Sequence, residues 1–356
     1  MVVEKSALQI LAGRVKEIDA GHYPKDLVQK LCQEGYVKEA LGEDMYAGLL
    51  ELEKISRLCG ATGFMMWCQS VCSWYLVNTQ NTYLRQNYLP RLLEGEILGG
   101  TALSNPMKYY AGFESLKLIL KDEGDYVVVE GKLPWVSNLS EGHVFGFIAG
   151  NSYVRKMYLA TVGQQNVKIV RTPVFAVMEG TGTFAISMNN SRFTNNELLA
   201  DDADHFVRQI RNGFVLLQNP IGLGILAGLL DLMERCLKEN PSSEDYLKDS
   251  RENYVAAYEK LRQKMKELCA YCRDEDEESF AEVLSLRLEL AETVLNAAMH
   301  TLLLTGARGL FLQGELQRRI REAQFFAVLS PSIRHLRKEL TRLGRLSPKN
   351  THQIRC

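Results

Sequence analysis

The chain has 356 residues, 46% hydrophobic and 24% charged, with 42 basic against 43 acidic side chains and a formal net charge of −1. That length exceeds a single typical core, so two or three domains or layers are expected. The composition is globular and argues against a disordered, collagen-like or low-complexity chain. The near-neutral balance argues against a dedicated nucleic-acid binder. No apolar run reaches about 18 uncharged residues, the length a membrane span needs. The nearest, 214–233, is interrupted by Gln218, Asn219, Pro220 and glycines. The N-terminal stretch carries charges within its apolar part and has no small-residue cleavage site, unlike a secretory signal.

The first zone, about 4–96, reads as helices. Residues 7–18 place apolar side chains at helical spacing, and Pro24-Lys25-Asp26 opens a further helix. Residues 49–77 are nearly all apolar, which predicts an interior helix pair split near Gly60 or Gly63. The second zone, about 98–199, changes character. LKLIL (116–120), YVVVE (126–130), VFGFIAG (144–150), MYLATV (157–162), VFAVME (174–179) and GTFAIS (182–187) are short β-type runs separated by Gly, Asp and Asn. Such runs predict a small antiparallel barrel or sandwich, with a hairpin turn at Asp122-Glu123-Gly124-Asp125. The third zone, about 201–343, returns to helix over 220–237, 245–272 and 278–305. No internal repeat is visible.

The eight cysteines lie mostly in apolar helical contexts, so reduced core thiols and a cytoplasmic home are expected. Cys269 and Cys272 form a lone CxxC without the second pair a structural metal site needs.

Four segments carry more than periodicity. Thr101-Ala102-Leu103-Ser104-Asn105-Pro106 opens the β zone, and Trp135-Val136-Ser137-Asn138 follows about thirty residues later. Gly306-Ala307-Arg308-Gly309 and Arg321-Glu322-Ala323 occur in the last zone. In order and spacing they resemble the acyl-CoA dehydrogenase family, which carries T-E-P, W-[IV]-[TS]-N, G-G-x-G and R-D-A segments over a comparable chain. The resemblance implies an α+β fold: an N-terminal helical domain (1–97), a middle antiparallel β-barrel (98–200) and a C-terminal four-helix bundle with a basic tail (201–356). It implies FAD between barrel and bundle, with FMN or reduced flavin as co-substrate the variants of that expectation.

By this resemblance, Leu103 and Ser104 would meet the flavin's pyrimidine edge, Trp135 would cover its dimethylbenzene side, and the Ser137 hydroxyl would approach N5. Gly306 and Gly309 would serve FAD bound to a neighbouring subunit, and Ser332 and Arg334 fall at polar FAD contacts. Read without it, Trp135 is a core residue, Ser137 a turn residue, the glycines a helix C-cap, Ser332 an N-cap and Arg334 a surface cation.

The pattern also fails in places. Dehydrogenation needs a carboxylate base, and the family's two usual positions for it hold Ser330 and Asn219 here. Neither a hydroxyl nor an amide is a general base near neutral pH without its own activator. The small A-G-S segment that holds cofactor phosphate is replaced by Lys108-Tyr109-Tyr110-Ala111-Gly112, and the nearest stretch to R-x-F-G is Arg251-Glu252-Asn253-Tyr254. Tyr109 and Tyr110 are the unassigned candidates for a base. His300 reads as a core histidine, and His205 with its neighbouring acids reads as a loop rather than a metal site. The arginines and lysines between Arg318 and Arg345 read as a solvated face plus cofactor-phosphate partners rather than a nucleic-acid surface.

Three functions follow. The first is a flavin-dependent oxidoreductase acting on the CH–CH group of an acyl thioester or related small molecule. The second is a flavin monooxygenase of the same fold, using reduced flavin and O2. The third is a non-catalytic binding or assembly protein. Homo-oligomerisation as dimer or tetramer is expected with the first two, together with a flavin reductase or an electron-transfer partner.

Overall fold

Fourteen helices flank one eight-stranded sheet in a computed structural model that describes residues 5–170 and 174–347. Helices run from Ala7 to Leu93, strands from Gly99 to Ala200, and helices again from Ala203 to Arg342. Cys356 lies outside the described residues.

The first apolar stretch divides where expected. Helix Met45–Leu58 starts at Asp44, whose carboxylate accepts from the Ala47 amide, and stops at Cys59, which is extended. Helix Gly60–Asn78 follows, and seventeen of its nineteen residues are buried. A helix apolar all round has no solvent face, so it runs through the middle of the molecule. Its partners include helices Ala203–Leu216 and Asn219–Glu239 from the far end of the chain, and one continuous core spans both helical zones. The apolar window within 203–239 is entirely buried.

The strands are β1 (Gly99–Thr101), β2 (Leu118–Asp122), β3 (Val127–Val136), β4 (Val144–Gly150), β5 (Arg155–Thr161), β6 (Val167–Val170), β7 (Phe184–Phe193) and β8 (Leu198–Ala200). Their order is β6-β7-β3-β2-β4-β5-β8, with β1 beside β4, and the sheet is curled. Five pairings are antiparallel, and β1–β4 and β2–β4 are parallel. Strand β4 explains the continuous apolar run VFGFIAG. Phe145, Phe147 and Ala149 face the interior of the curled sheet, while Val144 and Ile148 face the helical core. Gly146 sits on the helical side, where an added Cβ would lie 2.7 Å from the Tyr75 ring.

The run VFAVME is not a strand. Its described residues lead into a short 3-10 turn, Glu179–Thr181, and Met178 adopts φ +60°. The Glu179 carboxylate accepts from the Phe175 amide at 2.7 Å, so a side chain takes the donor that a ladder would have used. Likewise β7 begins at Phe184, after Gly182 at φ +58°.

Candidate active site

A cavity of about 310 Å³ opens where the sheet meets both helical zones. Helix Gly60–Asn78 contributes Phe64, Trp67 and Cys68, which share a face because they stand three and four residues apart. Phe214 comes from Ala203–Leu216, and Phe325 and Val328 come from helix Glu315–Val328. The four rings lock edge to face: Phe64 on Phe325 at 4.7 Å and Trp67 on Phe214 at 5.3 Å between centroids. The Trp67 indole N–H donates to the Phe214 carbonyl at 3.3 Å.

The sheet supplies a second aromatic wall. Between Leu133 and Val136 the β3–β7 register shifts, so Pro134 and Trp135 stand opposite one residue of β7. A bulge of this kind re-aims a side chain, and Pro134 has no amide for the ladder to lose. Trp135 lines the cavity, 43% exposed, with its ring 5.4 Å from Phe175.

Hydroxyls edge the space between these walls: Thr101, Ser104, Ser137, Thr183 and Ser330. Ser137 Oγ lies 2.7 Å from Thr183 Oγ1, which lies 2.8 Å from Thr181 Oγ1, and Thr181 donates to the Met178 carbonyl. Ser104 Oγ lies 2.9 Å from Ser330 Oγ. Ser330 is held from behind. Its carbonyl accepts from Gln218 Nε2 at 2.8 Å, and Gln218 Oε1 accepts from Arg287 Nε at 2.9 Å. Arg287 is fully buried, donates to the Phe326 carbonyl at 2.7 Å, and lies 3.6 Å over the Phe326 ring. It has no carboxylate partner among the described residues, and burial pushes its pKa down to about 9.

Of the residues singled out from sequence, Ser104, Trp135, Ser137 and Ser330 converge on this cavity. Leu103 is buried beside it, but its amide already donates to Thr101 Oγ1 at 3.3 Å. Asn219 is fully buried, does not line the cavity, and finds no hydrogen-bond partner for its amide group. Gly306, at φ +61°, and buried Gly309 belong to the turn after helix Glu277–Thr305 and do not line the cavity. Ser332 caps helix Ile333–Arg342, accepting from the His335 amide, and Arg334 lies 4.9 Å over the Phe113 ring.

Tyr109 and Tyr110 do not line the cavity either. Tyr110 donates to Asp204 at 2.8 Å, and burial together with that carboxylate raises its pKa. His300 lies buried with Nε2 2.9 Å from Glu244 Oε1. Most of the basic run is neutralised inside the fold. Arg318 and Arg319 flank buried Glu322 at 2.6 and 3.2 Å, and Arg321 reaches Asp19 at 2.5 Å.

Sequence reading missed Phe64, Trp67, Phe214 and Phe325 as cavity walls, because aromatic residues on apolar helices look like any core. It also missed Thr101, Phe175 and Thr183.

The donor set fits a flavin ring. An isoalloxazine needs faces to stack on and hydrogen-bonding groups along one edge, and the aromatic walls and five hydroxyls offer both. Where the resemblance implies a small-residue segment for cofactor phosphate, residues 104–110 instead form a helix, Ser104–Tyr110, that carries Lys108 and two tyrosines.

Fold and cavity together define a class: helical layers on a curled sheet, with an aromatic-walled cleft at their junction. Residues 2–96 match the acyl-CoA dehydrogenase N-terminal domain family. The chain is 31% identical over 151 residues to mitochondrial isovaleryl-CoA dehydrogenase of Bos taurus, covering 38% of this chain and 34% of the relative. It is 23% identical over 264 residues to the short-chain-specific acyl-CoA dehydrogenase of Clostridium acetobutylicum, covering 68% and 64%. These alignments thus span from about a third to just under two thirds of the relatives' lengths. The butyryl-CoA dehydrogenase structure from Megasphaera elsdenii shares the fold at TM-score 0.82 and 12% identity, over 95% of this chain and 94% of that one. The N-terminal helical zone thus matches the acyl-CoA dehydrogenase N-terminal domain, and the chain has the acyl-CoA dehydrogenase fold.

Proposed function

We propose that this chain is a flavin-dependent oxidoreductase of acyl-CoA dehydrogenase type, acting on a short acyl thioester or a related small apolar molecule. The observation that carries the reading is the junction cavity, in which two aromatic walls enclose a row of hydroxyls.

Bound flavin supplies the capacity to accept or deliver electrons and hydride. The protein's part is placement. Trp135 and Phe175 would stack on the ring system, while Ser137 and Thr183 would present hydroxyls at its edge. The chain Ser137–Thr183–Thr181 ends on the Met178 carbonyl, so Ser137 donates to Thr183 and Thr183 to Thr181, which leaves Ser137 Oγ as an acceptor toward the ring edge. Phe64, Trp67, Phe214 and Phe325 would exclude water from the reacting carbon and strengthen each polar contact inside. Cytoplasmic location, homo-oligomerisation and an electron-exchanging partner go with this reading.

One observation favours the second reading, a flavin monooxygenase. The residues lining the cavity include no carboxylate, and the base position holds Ser330, hydrogen-bonded to Ser104. Oxygen chemistry at a reduced flavin needs no base for an α-proton.

An absorbance spectrum after incubation with FAD or FMN and removal of excess tests both. Retained absorbance near ~450 nm, a property of the oxidised flavin ring, supports them. A folded protein that keeps no flavin in either redox state would falsify both and leave a binding or assembly role. Anaerobic bleaching by short acyl thioesters supports the first reading. Oxygen uptake that depends on supplied reduced flavin supports the second.

A further inference from the structure

Cys269 and Cys272 take no part in the candidate active site. They lie between helices Arg251–Leu268 and Glu277–Thr305, where the chain makes a 3-10 turn, Cys269–Tyr271. The Cys272 amide donates to the Cys269 carbonyl at 3.3 Å, and the two residues have φ/ψ of −59°/−28° (Cys269) and −60°/−22° (Cys272). Side chains three residues apart on such a turn eclipse one another, with about 6 Å of rise between them. Disulfides span Cα separations of about 4.4–6.8 Å. Both cysteines line one cleft of about 740 Å³, together with Asp44, Trp74 and Arg273.

The pair is half-buried, whereas Cys32, Cys59, Cys68 and Cys72 are buried. Cys236 is half-buried too, but lies apart on helix Asn219–Glu239, 3.5 Å from Thr305 Oγ1. Burial raises the pKa of both thiols, that of Cys269 to about 12, and the Arg273 charge offsets part of the rise at Cys272. Cys272 is therefore the thiol that ionises first. Among the described residues no group of three or more His, Cys, Asp or Glu side chains is placed to hold a metal ion, so the pair stands as a dithiol.

The turn also seats a helix of the cavity. The Gly213 amide donates to the Cys272 carbonyl at 3.0 Å, and Asn212 Nδ2 to the Tyr271 carbonyl at 2.9 Å. Arg211 Nη2 donates to the Glu275 and Asp276 carbonyls at 2.7 and 3.1 Å. The next residue, Phe214, is a wall of the candidate active site. On its other side Gly213 packs on Trp74, where an added Cβ would lie 2.4 Å from the indole.

We propose that Cys269 and Cys272 form a reversible dithiol–disulfide site that takes a peroxide as oxidant, and that its closure loosens the seat of helix Ala203–Leu216 beside the candidate active site. The Cys272 thiolate attacks one oxygen of hydrogen peroxide and releases hydroxide, which takes up a proton, leaving a sulfenic acid. The Cys269 sulfur then attacks the Cys272 sulfur, loses its proton and expels the hydroxyl as water. Two electrons pass to the peroxide, both thiol hydrogens end in water, and a thiol reductant restores the pair. Closure draws the two Cβ atoms to about 3.8 Å and so pulls on the turn whose carbonyls receive Asn212 and Gly213. The site does not depend on what the cavity binds.

The test exposes the full-length protein to hydrogen peroxide and follows intact mass, peptide mapping and amide hydrogen exchange. The expected product is about 2 Da lighter, carries a Cys269–Cys272 cross-link, and regains its mass with dithiothreitol. Exchange in residues 210–216 should quicken by about fivefold, the scale of one lost hydrogen bond. Cys269→Ser should leave Cys272 oxidised by added oxygen, without cross-link or faster exchange, while Cys236→Ser should behave as the unaltered protein. In the unaltered protein, oxygen added to Cys272 without a cross-link overturns the site. So does a pair left unmodified by peroxide that closes the disulfide in a synthetic peptide of residues 266–275. A cross-link with unchanged exchange in residues 210–216 overturns the link to the helix.

Discussion

Ser104 and Ser330, 226 positions apart in the chain, meet hydroxyl to hydroxyl at 2.9 Å on the cavity wall. The contact ties the helix that follows β1 to the turn that follows helix Glu315–Val328. By the resemblance to acyl-CoA dehydrogenases, Ser330 stands at one of the two positions expected to carry a catalytic carboxylate.

Ser330→Glu tests what that place can do. If the bound substrate is an acyl thioester, the new carboxylate should raise the rate of anaerobic flavin bleaching by about 10²-fold, the lower range for a positioned general base. Stopped-flow absorbance at the flavin band measures it. An unchanged rate with retained flavin would point away from α-proton abstraction.

Trp135→Ala removes half of the sheet-side aromatic wall while leaving the bulge's backbone intact. Flavin affinity should fall by about tenfold, in line with a lost aromatic stacking contact. Thermal stability should change little, because the ring is 43% exposed. Fluorescence titration and calorimetry separate the two effects.

Glu322→Ala leaves Arg318 and Arg319 buried without their shared carboxylate and also frees the Gly60 amide, which Glu322 accepts from at 2.9 Å. Removing one partner of a buried pair costs about 3–5 kcal/mol. Chemical denaturation should show that loss, and Glu322→Gln should show a smaller one because an amide oxygen still accepts.

His335 gives a pH signature. Burial holds its pKa near 4, below the ordinary value of 6.5. The unfolded chain then binds the extra proton first, so stability falls as pH drops from about 6.5 to about 4. The loss is at most about 3 kcal/mol, and His335→Leu should flatten this part of the curve. Unfolding free energies at several pH values check it.

Gly146→Val drives a side chain against Tyr75, already 2.7 Å from the position of a Cβ. Overpacking of this kind costs about 1–3 kcal/mol. Because Tyr75 is hydrogen-bonded to Thr101 at 2.6 Å, the cavity's sheet side should shift as well, read as weaker flavin binding.

The amino-acid sequence by itself determined what short-range physics can encode. Helical spacing, the break at Cys59–Gly60, the two-faced run of β4 and the α–β–α order all follow from periods of 3.6 and 2.0 and from residues within one element. Trp135, Ser137, Ser104 and Ser330 were legible because their short motifs carry a resemblance. VFAVME was misread, since β-type composition does not reveal that Glu179 would capture the Phe175 amide. The aromatic wall of Phe64, Trp67, Phe214 and Phe325 had no local mark, because a cavity-lining ring and a core ring have the same helical spacing. Only the tertiary structure decided which rings face an opening and which hydroxyls pair. It also decided that Arg334 and Lys338 stand over Phe113 while the neighbouring arginines find glutamates. These are relations between segments up to 200 or more positions apart, set by how packed helices close on a curled sheet, and no local pattern carries them.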